Sequence, residues 1–401
     1  MPGVRSVAIG LWLPVGSRDE VAGHYGSTHF LEHLAFKGTA RRSALDIAEQ
    51  FDAVGAEANA ATAKESTCFY VRVLDTAGPA ALDLLVDMVT GAQLDPAEFE
   101  LERGVILEEL AMNQDDPSDV AHEAFAEAVY GSHPLARPIG GYVADIKAVP
   151  RAAVWEHYQR HYRPDNLIVT AAGSLEHQAF ADMVSQALDQ GGWSQAARGT
   201  ASAAERRSTA PQVALPTAGV TRHLDRATEQ AQVLVGCLGL MATDPRRHAL
   251  ALLGSILGGG MSSRLFQQIR EKRGLAYSTY CFASGHADAG SFGLYAACTP
   301  AAAGQVLELM EAEWAALAAD GVTEAELTRA KGQLAGGTVL GLEDPLSRMN
   351  RLGRAEILMG ELPSVDELLA RIEAVTADDV QLLAAELAAR PRSIVTLGPA
   401  A

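Results

Sequence analysis

"LDPAEFELERGVILEELAMNQDDP" (residues 94–117) and "VTEAELTRAKGQLAGGTVLGLEDP" (residues 322–345) have equal length, and both end in an acid-Asp-Pro turn. Working outward from this pair, the order of patterns repeats. Strand-like "VAIGLWLPV" near the start answers "AQVLVGCLGL" in the second half. The amphipathic helix "PAALDLLVDMV" (79–89) answers "GQVLELMEAE" (304–313). "IKAV" at 146 leads to "IVT" at 168, and "IEAV" at 372 leads to "IVT" at 394, a spacing of 22 residues each time. A duplicated unit of about 200 residues explains all of these matches.

Each unit mixes hairpin-like strand runs with periodic helices rather than alternating them strictly. The expected fold class is therefore α+β: two homologous halves, each a mixed or antiparallel sheet covered by helices. "SQAARGTASAAERRSTAPQVALP" (194–216) lacks core periodicity and reads as a linker. The expected division is a first half at 1–195, a linker at 196–217 and a second half at 218–401.

The repeats differ where chemistry would sit. In the ungapped alignment of the opening pair, Glu102 faces Ala330 and Glu109 faces Gly337. The first half alone holds "THFLEHLAFKGT" (28–39), in which His29, Glu32 and His33 share one helical face. Two imidazoles and a carboxylate on one face make either a metal site or a solvated surface. As a metal site, His29 and His33 offer nitrogen to one Zn²⁺, and HxxEH is the inverted form of HExxH, with Glu32 as general base. The third ligand should be an acid on another helix. Glu102 and Glu109 are seven apart and so share a face, whereas Glu108 is rotated from Glu109 by roughly 100°. Glu109 is taken as the ligand and Glu102 as an acid that orients a ligand.

Composition narrows the function classes. The formal net charge is −18, with 14 Lys+Arg against 28 Asp+Glu in residues 1–200, which argues against nucleic-acid binding. The four cysteines (Cys68, Cys237, Cys281, Cys298) are far apart, with no CxxC pair, so buried reduced thiols are expected rather than disulfides. No apolar run reaches the length of a membrane span. A cytoplasmic protein without membrane association is the expectation.

"GSTHFLEHLAFKGT" followed by "LERGVILEEL" resembles the pitrilysin/insulysin family of zinc peptidases, and within it the small bacterial members similar to the mitochondrial processing peptidase β subunit. The resemblance extends to "NAATAKESTCFY" (59–70), "HPLARPIGG" (133–141), "HYRPDNLIVTAAG" (161–173) and "GGGMSSRLFQQIREKRGLAYS" (258–278). The 76 positions from His33 to Glu109 match the family's ligand spacing. By this resemblance His29, His33 and Glu109 bind one Zn²⁺ per chain, Glu32 is the base and Glu102 the supporting acid. It also implies that Arg270 and Tyr277 hold substrate and the tetrahedral intermediate. Asn59, Ala60 and Ala61 are implied to lie on an edge strand that pairs with extended peptide.

The expected function is endopeptidase cleavage of unfolded peptides or presequence-like segments. The implied partners are peptide substrates and a second chain, in a homodimer or in a heterodimer with an inactive homologue. The alternative is a non-catalytic subunit acting in assembly or substrate binding. Two departures from the family are noted. Ser27-Thr28 replaces a Gly/Ala pair, and the family's early "NGLRVV"-type strand does not precede "MPGVRSV", which puts the first sheet's edge in question.

Overall fold

The computed structural model describes residue 1, residues 3–193 and residues 213–400. Most of the linker read at 196–217 thus lies outside the described residues. By contact the chain forms two compact units. The first holds Met1–Met112, the stretch from Arg137 onward, and Gly341–Leu362. The second holds Asn113–Ala136, a stretch ending at Leu340, and the chain from Pro363 onward.

In the first unit, β1 (Ser6–Leu13), β2 (Glu57–Thr62), β3 (Thr67–Leu74) and β4 (Ile168–Gly173) form an antiparallel sheet in the order β2-β3-β1-β4. In the second, β5 (Thr221–Asp225), β6 (Ala231–Leu238), β7 (Ala276–Gly285), β8 (Gly290–Cys298) and β9 (Ser393–Gly398) run in the order β5-β9-β6-β8-β7. That sheet is mixed, because β5 lies parallel to β9 while the other pairs are antiparallel. The fold is α+β, as the repeats implied. β1 sits between β3 and β4 as β6 sits between β8 and β9, and β5 has no counterpart among the described residues of the first sheet.

The central strands explain why the two units are not continuous in sequence. From Val7 to Leu13 every residue of β1 is buried, so both faces need cover. Val7, Ile9, Leu11 and Leu13 pack against Phe30, Leu31, Leu34, Leu82 and Leu85. On the other face Ala8, Trp12 and Ala172 pack against Met349 and Ile357. Two glycines permit that second layer. A Cβ on Gly10 would meet Met349 Sδ at 2.3 Å, and one on Gly353 would meet Trp12 Cε2 at 2.2 Å. In the second unit, Leu234, Val395 and Leu397 are covered by Val120, Ala124 and Phe125 of the Pro117–Tyr130 helix.

The helix that follows each acid-Asp-Pro turn therefore belongs with the opposite repeat. This corrects the expected division at 195 and 218, which kept each half whole. Both turns launch their helices alike. Asp116 accepts from Ser118 N and Asp119 N, Asp344 accepts from Ser347 N, and each is followed by proline in the first turn. Burying a Phe or Leu fully is favourable by roughly 1.5–3 kcal/mol, and each helix buries several apolar side chains against a single cap of about 1 kcal/mol, so sheet cover decides where each helix lies.

Candidate metal centre

Two helices of the first unit build the site. The Ser27–Ala35 helix buries Phe30, Leu31 and Leu34, which turns His29, Glu32 and His33 away from the core. Gly26 precedes it at φ 85°, where a Cβ would strike Ile146 Cδ1 at 2.2 Å. Its buried N-terminal amides are met by Glu20, whose carboxylate accepts from Gly26 N and Thr28 N, both at 2.8 Å. Burial pushes the Glu20 carboxyl up to about 7, against the pull of those same amides and of Arg137.

The Pro96–Asp115 helix buries Phe99, Glu102, Ile106 and Leu110 along one stripe. Phe99 stacks on Phe30 with ring centroids 4.4 Å apart, and the Arg103 guanidinium lies 4.8 Å from the Phe99 ring. The helix starts just after Leu94, whose φ of 49° is the one positive value of a non-glycine residue among the described residues. Arg151 donates to the Leu94 carbonyl and, at 3.3 Å, to that of Gln93, holding the strained turn.

The packed helices bring three ligand atoms together. His33 Nε2 lies 3.3 Å from His29 Nε2 and 3.5 Å from Glu109 Oε2, and His29 Nε2 lies 3.7 Å from Glu109 Oε2. Ligands at 2.0–2.1 Å from a tetrahedral Zn²⁺ stand about 3.3–3.4 Å apart, so this triangle fits the ion. The electrostatics fit it too. Burial, and next the neighbouring His33, pushes the His29 imidazole down to about 4, although Glu109 pulls the other way. It is therefore neutral near pH 7. His33 Nδ1 lies 2.9 Å from Glu102 Oε2, and since a carboxylate oxygen accepts, Nδ1 donates to it while Nε2 faces His29 and Glu109. Burial alone would raise the Glu102 carboxyl. The hydrogen bonds from Lys37, at 2.7 Å, and His33 outweigh it and hold the group below the usual carboxylate range. His29 Nδ1 is buried and has no hydrogen-bond partner among the described residues. Two imidazoles and one carboxylate, with their ligand atoms within 4.8 Å of one another, form an N₂O donor set suited to zinc.

Glu32 lies on the same helix, between the two histidines, and its Oε2 accepts from Thr62 Oγ1 at 2.5 Å. Thr62 ends β2, the edge strand that also carries Asn59, Ala60 and Ala61. These pair with Tyr70, Phe69 and Cys68 of β3. Asn59 Oδ1 accepts from Ala60 N at 2.8 Å. The sequence-derived residues His29, Glu32, His33, Glu102 and Glu109 are thus brought together, with the β2 edge beside them.

Arg270 and Tyr277 are brought together within the second unit. The guanidinium lies 4.8 Å from the rings of both Phe266 and Tyr277, and Arg270 donates to Tyr277 O at 3.0 Å. Two irregularities present them. Arg270 sits in a π-helical turn, Phe266–Glu271, and Tyr277 falls at a register shift between Ala276 and Ser278 that leaves it 75% exposed.

Sequence reasoning missed Glu20, Lys37 and Thr62. Glu20 caps a helix from six residues before its N-cap, outside the S/T-x-x-E pattern that announces a capping box. Thr62 lies 30 residues from the glutamate it touches, and nothing periodic links them.

An HxxEH helix facing a glutamate-bearing helix in a duplicated α+β chain defines an inverted-motif metallopeptidase architecture. Comparison with known proteins agrees. Residues 1–142 match the family model described as insulinase (peptidase family M16), and residues 148–334 match that described as peptidase M16 inactive domain. An uncharacterized zinc protease of Streptomyces coelicolor is 47% identical over all of this chain and 86% of its own length. One of Bacillus subtilis is 36% identical, over 99% of this chain and 94% of its own. Among solved structures, a protease from Helicobacter pylori superposes with a TM-score of 0.91 at 21% identity, covering 100% of this chain and 95% of that one. A peptidase M16 inactive domain from Pseudomonas fluorescens gives 0.87 at 22%, covering 100% and 94%. The chain belongs to peptidase family M16, the pitrilysin/insulysin family of zinc metallopeptidases. Its relatives carry the name zinc protease, and among its own described residues no helix is long and apolar enough to cross a membrane.

Proposed function

We propose that this chain is a zinc-dependent endopeptidase that hydrolyses unfolded peptides or presequence-like segments, with one Zn²⁺ held by His29, His33 and Glu109. The observation that carries this reading is the triangle of three ligand atoms at 3.3–3.7 Å with Glu32 on the same helix face. When bound, zinc supplies a Lewis acid for the scissile carbonyl and lowers the pKa of the attacking water. Glu32 accepts the proton of that water and later passes it to the leaving amine. Glu102 keeps the His33 ring in its ligating orientation. Arg270 and Tyr277 offer a cation and a phenol donor to a carbonyl oxygen that gains negative charge. Asn59, Ala60 and Ala61 offer a strand edge to an extended substrate.

The same reading takes the working form as a homodimer, or a heterodimer with an inactive homologue, in the cytoplasm. A second reading, a non-catalytic subunit, draws on the inactive-domain match. That match covers residues 148–334, outside the HxxEH helix. The test is cleavage of a quenched fluorogenic peptide library by wild type and Glu32→Gln, with zinc content measured on both. The endopeptidase reading expects wild type to cut and Glu32→Gln to keep stoichiometric zinc while losing at least about 100-fold in rate. Wild type that binds zinc and cuts nothing refutes it in favour of the subunit reading.

A further inference from the structure

The hydroxyl of Thr62 is the one hydrogen-bond donor to Glu32 that the described side chains supply, and both ends of that bond are mounted on the same short segment, Gly16–Glu20. On the Glu32 side, Glu20 caps the helix through Gly26 N and Thr28 N. On the Thr62 side, the turn that follows β2 is laced to the segment. Ser17 N donates to Ala63 O at 3.1 Å and Arg18 N to Lys64 O at 3.0 Å. Arg18 and Glu65 form a part-buried ion pair at 2.6 Å. The fit is close, since a Cβ on Gly16 would lie 2.3 Å from Ala63 O. Arg137 locks the segment itself by donating to Ser17 O, Arg18 O and Glu20 O at 3.0–3.2 Å. Across the hairpin Thr62 pairs with Thr67, whose own hydroxyl is committed to Val15 O at 2.9 Å. Neither helix nor strand end can drift without breaking hydrogen bonds to the shared segment, to the Glu20 carboxylate on one side and to its backbone amides on the other. Neighbouring positions of this strand end are alanines, Ala60, Ala61 and Ala63. The hairpin therefore needs no hydroxyl here for its own sake.

We propose that Thr62 is a positioning residue for the general base, holding Glu32 through Oε2 so that Oε1 is left to take the proton of the attacking water. This rests on the endopeptidase reading above. A carboxylate on a flexible glutamate side chain samples several rotamers, and a short charge-assisted hydrogen bond selects one. Because Thr62 closes the edge strand, the same bond ties the orientation of the base to the strand along which an extended peptide would lie.

The test compares Thr62→Val, which keeps the β-branched shape and removes the donor, with Thr62→Ser, which keeps the donor. kcat and KM are measured on a fluorogenic peptide, with zinc content and circular dichroism on each protein. The expected result for Thr62→Val is a fall in kcat of about 10-fold or more, KM within about twofold, and full zinc. Thr62→Ser is expected to recover kcat to within about threefold of wild type. The proposal is overturned by unchanged kcat in Thr62→Val, by a rise in KM alone, by loss of zinc, or by equal loss in both variants. Should Thr62→Val fail to fold, Thr62→Ala against Thr62→Ser makes the same comparison. A readout without activity separates this proposal from the reading beneath it. Crystal structures should show the Glu32 carboxylate displaced in Thr62→Val and in place in Thr62→Ser. A carboxylate that stays put in Thr62→Val overturns the proposal even if wild type cuts nothing.

Discussion

Replacing Glu102 by Gln is the perturbation that tests most of the metal-centre chemistry at once. The carboxylate is 4% exposed and carries two partners, His33 Nδ1 at 2.9 Å and Lys37 Nζ at 2.7 Å. Gln keeps the shape and one acceptor oxygen but removes the negative charge. Two consequences follow for zinc. His33 keeps at most a neutral acceptor for its Nδ1 proton and loses the carboxylate charge that raises the basicity of Nε2, a change that typically weakens metal affinity about 10–100-fold. At about 1.4 kcal/mol per decade, that is roughly 1.4–2.7 kcal/mol. Lys37 also becomes an uncompensated cation near the site, which adds to the loss.

The assay is zinc Kd by chelator competition at pH 7 on wild type, Glu102→Gln, Lys37→Met and the double variant. If the loss comes through His33, the double variant stays about as weak as Glu102→Gln. If it comes from the stray cation, the double variant recovers. A Kd for folded Glu102→Gln within twofold of wild type would refute the reasoning that Glu102 prepares His33 as a ligand.

Two further outcomes follow from the structure. Burial raises the Glu20 carboxyl from its ordinary value near 4.5 up to about 7 in the folded protein. Its contribution to stability is therefore full below about pH 4.5 and is lost as pH rises through about 7. Glu20→Gln cannot titrate, so the stability of wild type relative to this variant should fall between pH 5 and 8 in thermal melts without zinc, and a constant difference would contradict the assignment. Gly353→Ala places a methyl 2.2 Å from Trp12 Cε2 in a packed layer and should destabilise by at least about 1–3 kcal/mol in denaturant titration. A change under about 0.5 kcal/mol would mean that Trp12 can yield.

How far the site was legible depended on whether each contact left a periodic trace. His29, Glu32 and His33 lie within five residues on one helical face, so helix geometry alone aligns them. Glu102 and Glu109 are two turns apart on a second helix, and the other repeat has Ala330 and Gly337 in their places, which singled them out. Their separate roles follow from burial. Glu102 points into the stripe with Phe99 and Ile106, whereas the Glu109 side chain is 42% exposed beside the imidazoles. Glu20 and Thr62 left no such trace, because a loop carboxylate and a strand-end hydroxyl reach their partners through tertiary contact.

By itself the sequence determined the duplication, the strand and helix pattern of each repeat, and the two helices that carry the ligand atoms. These are local properties, set by hydrophobic period, turn residues and side-chain type. Which sheet each following helix covers was decided only in the tertiary structure. The Asp116 and Asp344 caps start their helices in the same way and say nothing about the surface those helices meet. That choice belongs to Trp12, Gly10, Gly353 and Met349 on one sheet and to Leu234, Val395, Leu397 and Phe125 on the other, where shape at contact distance selects the partner.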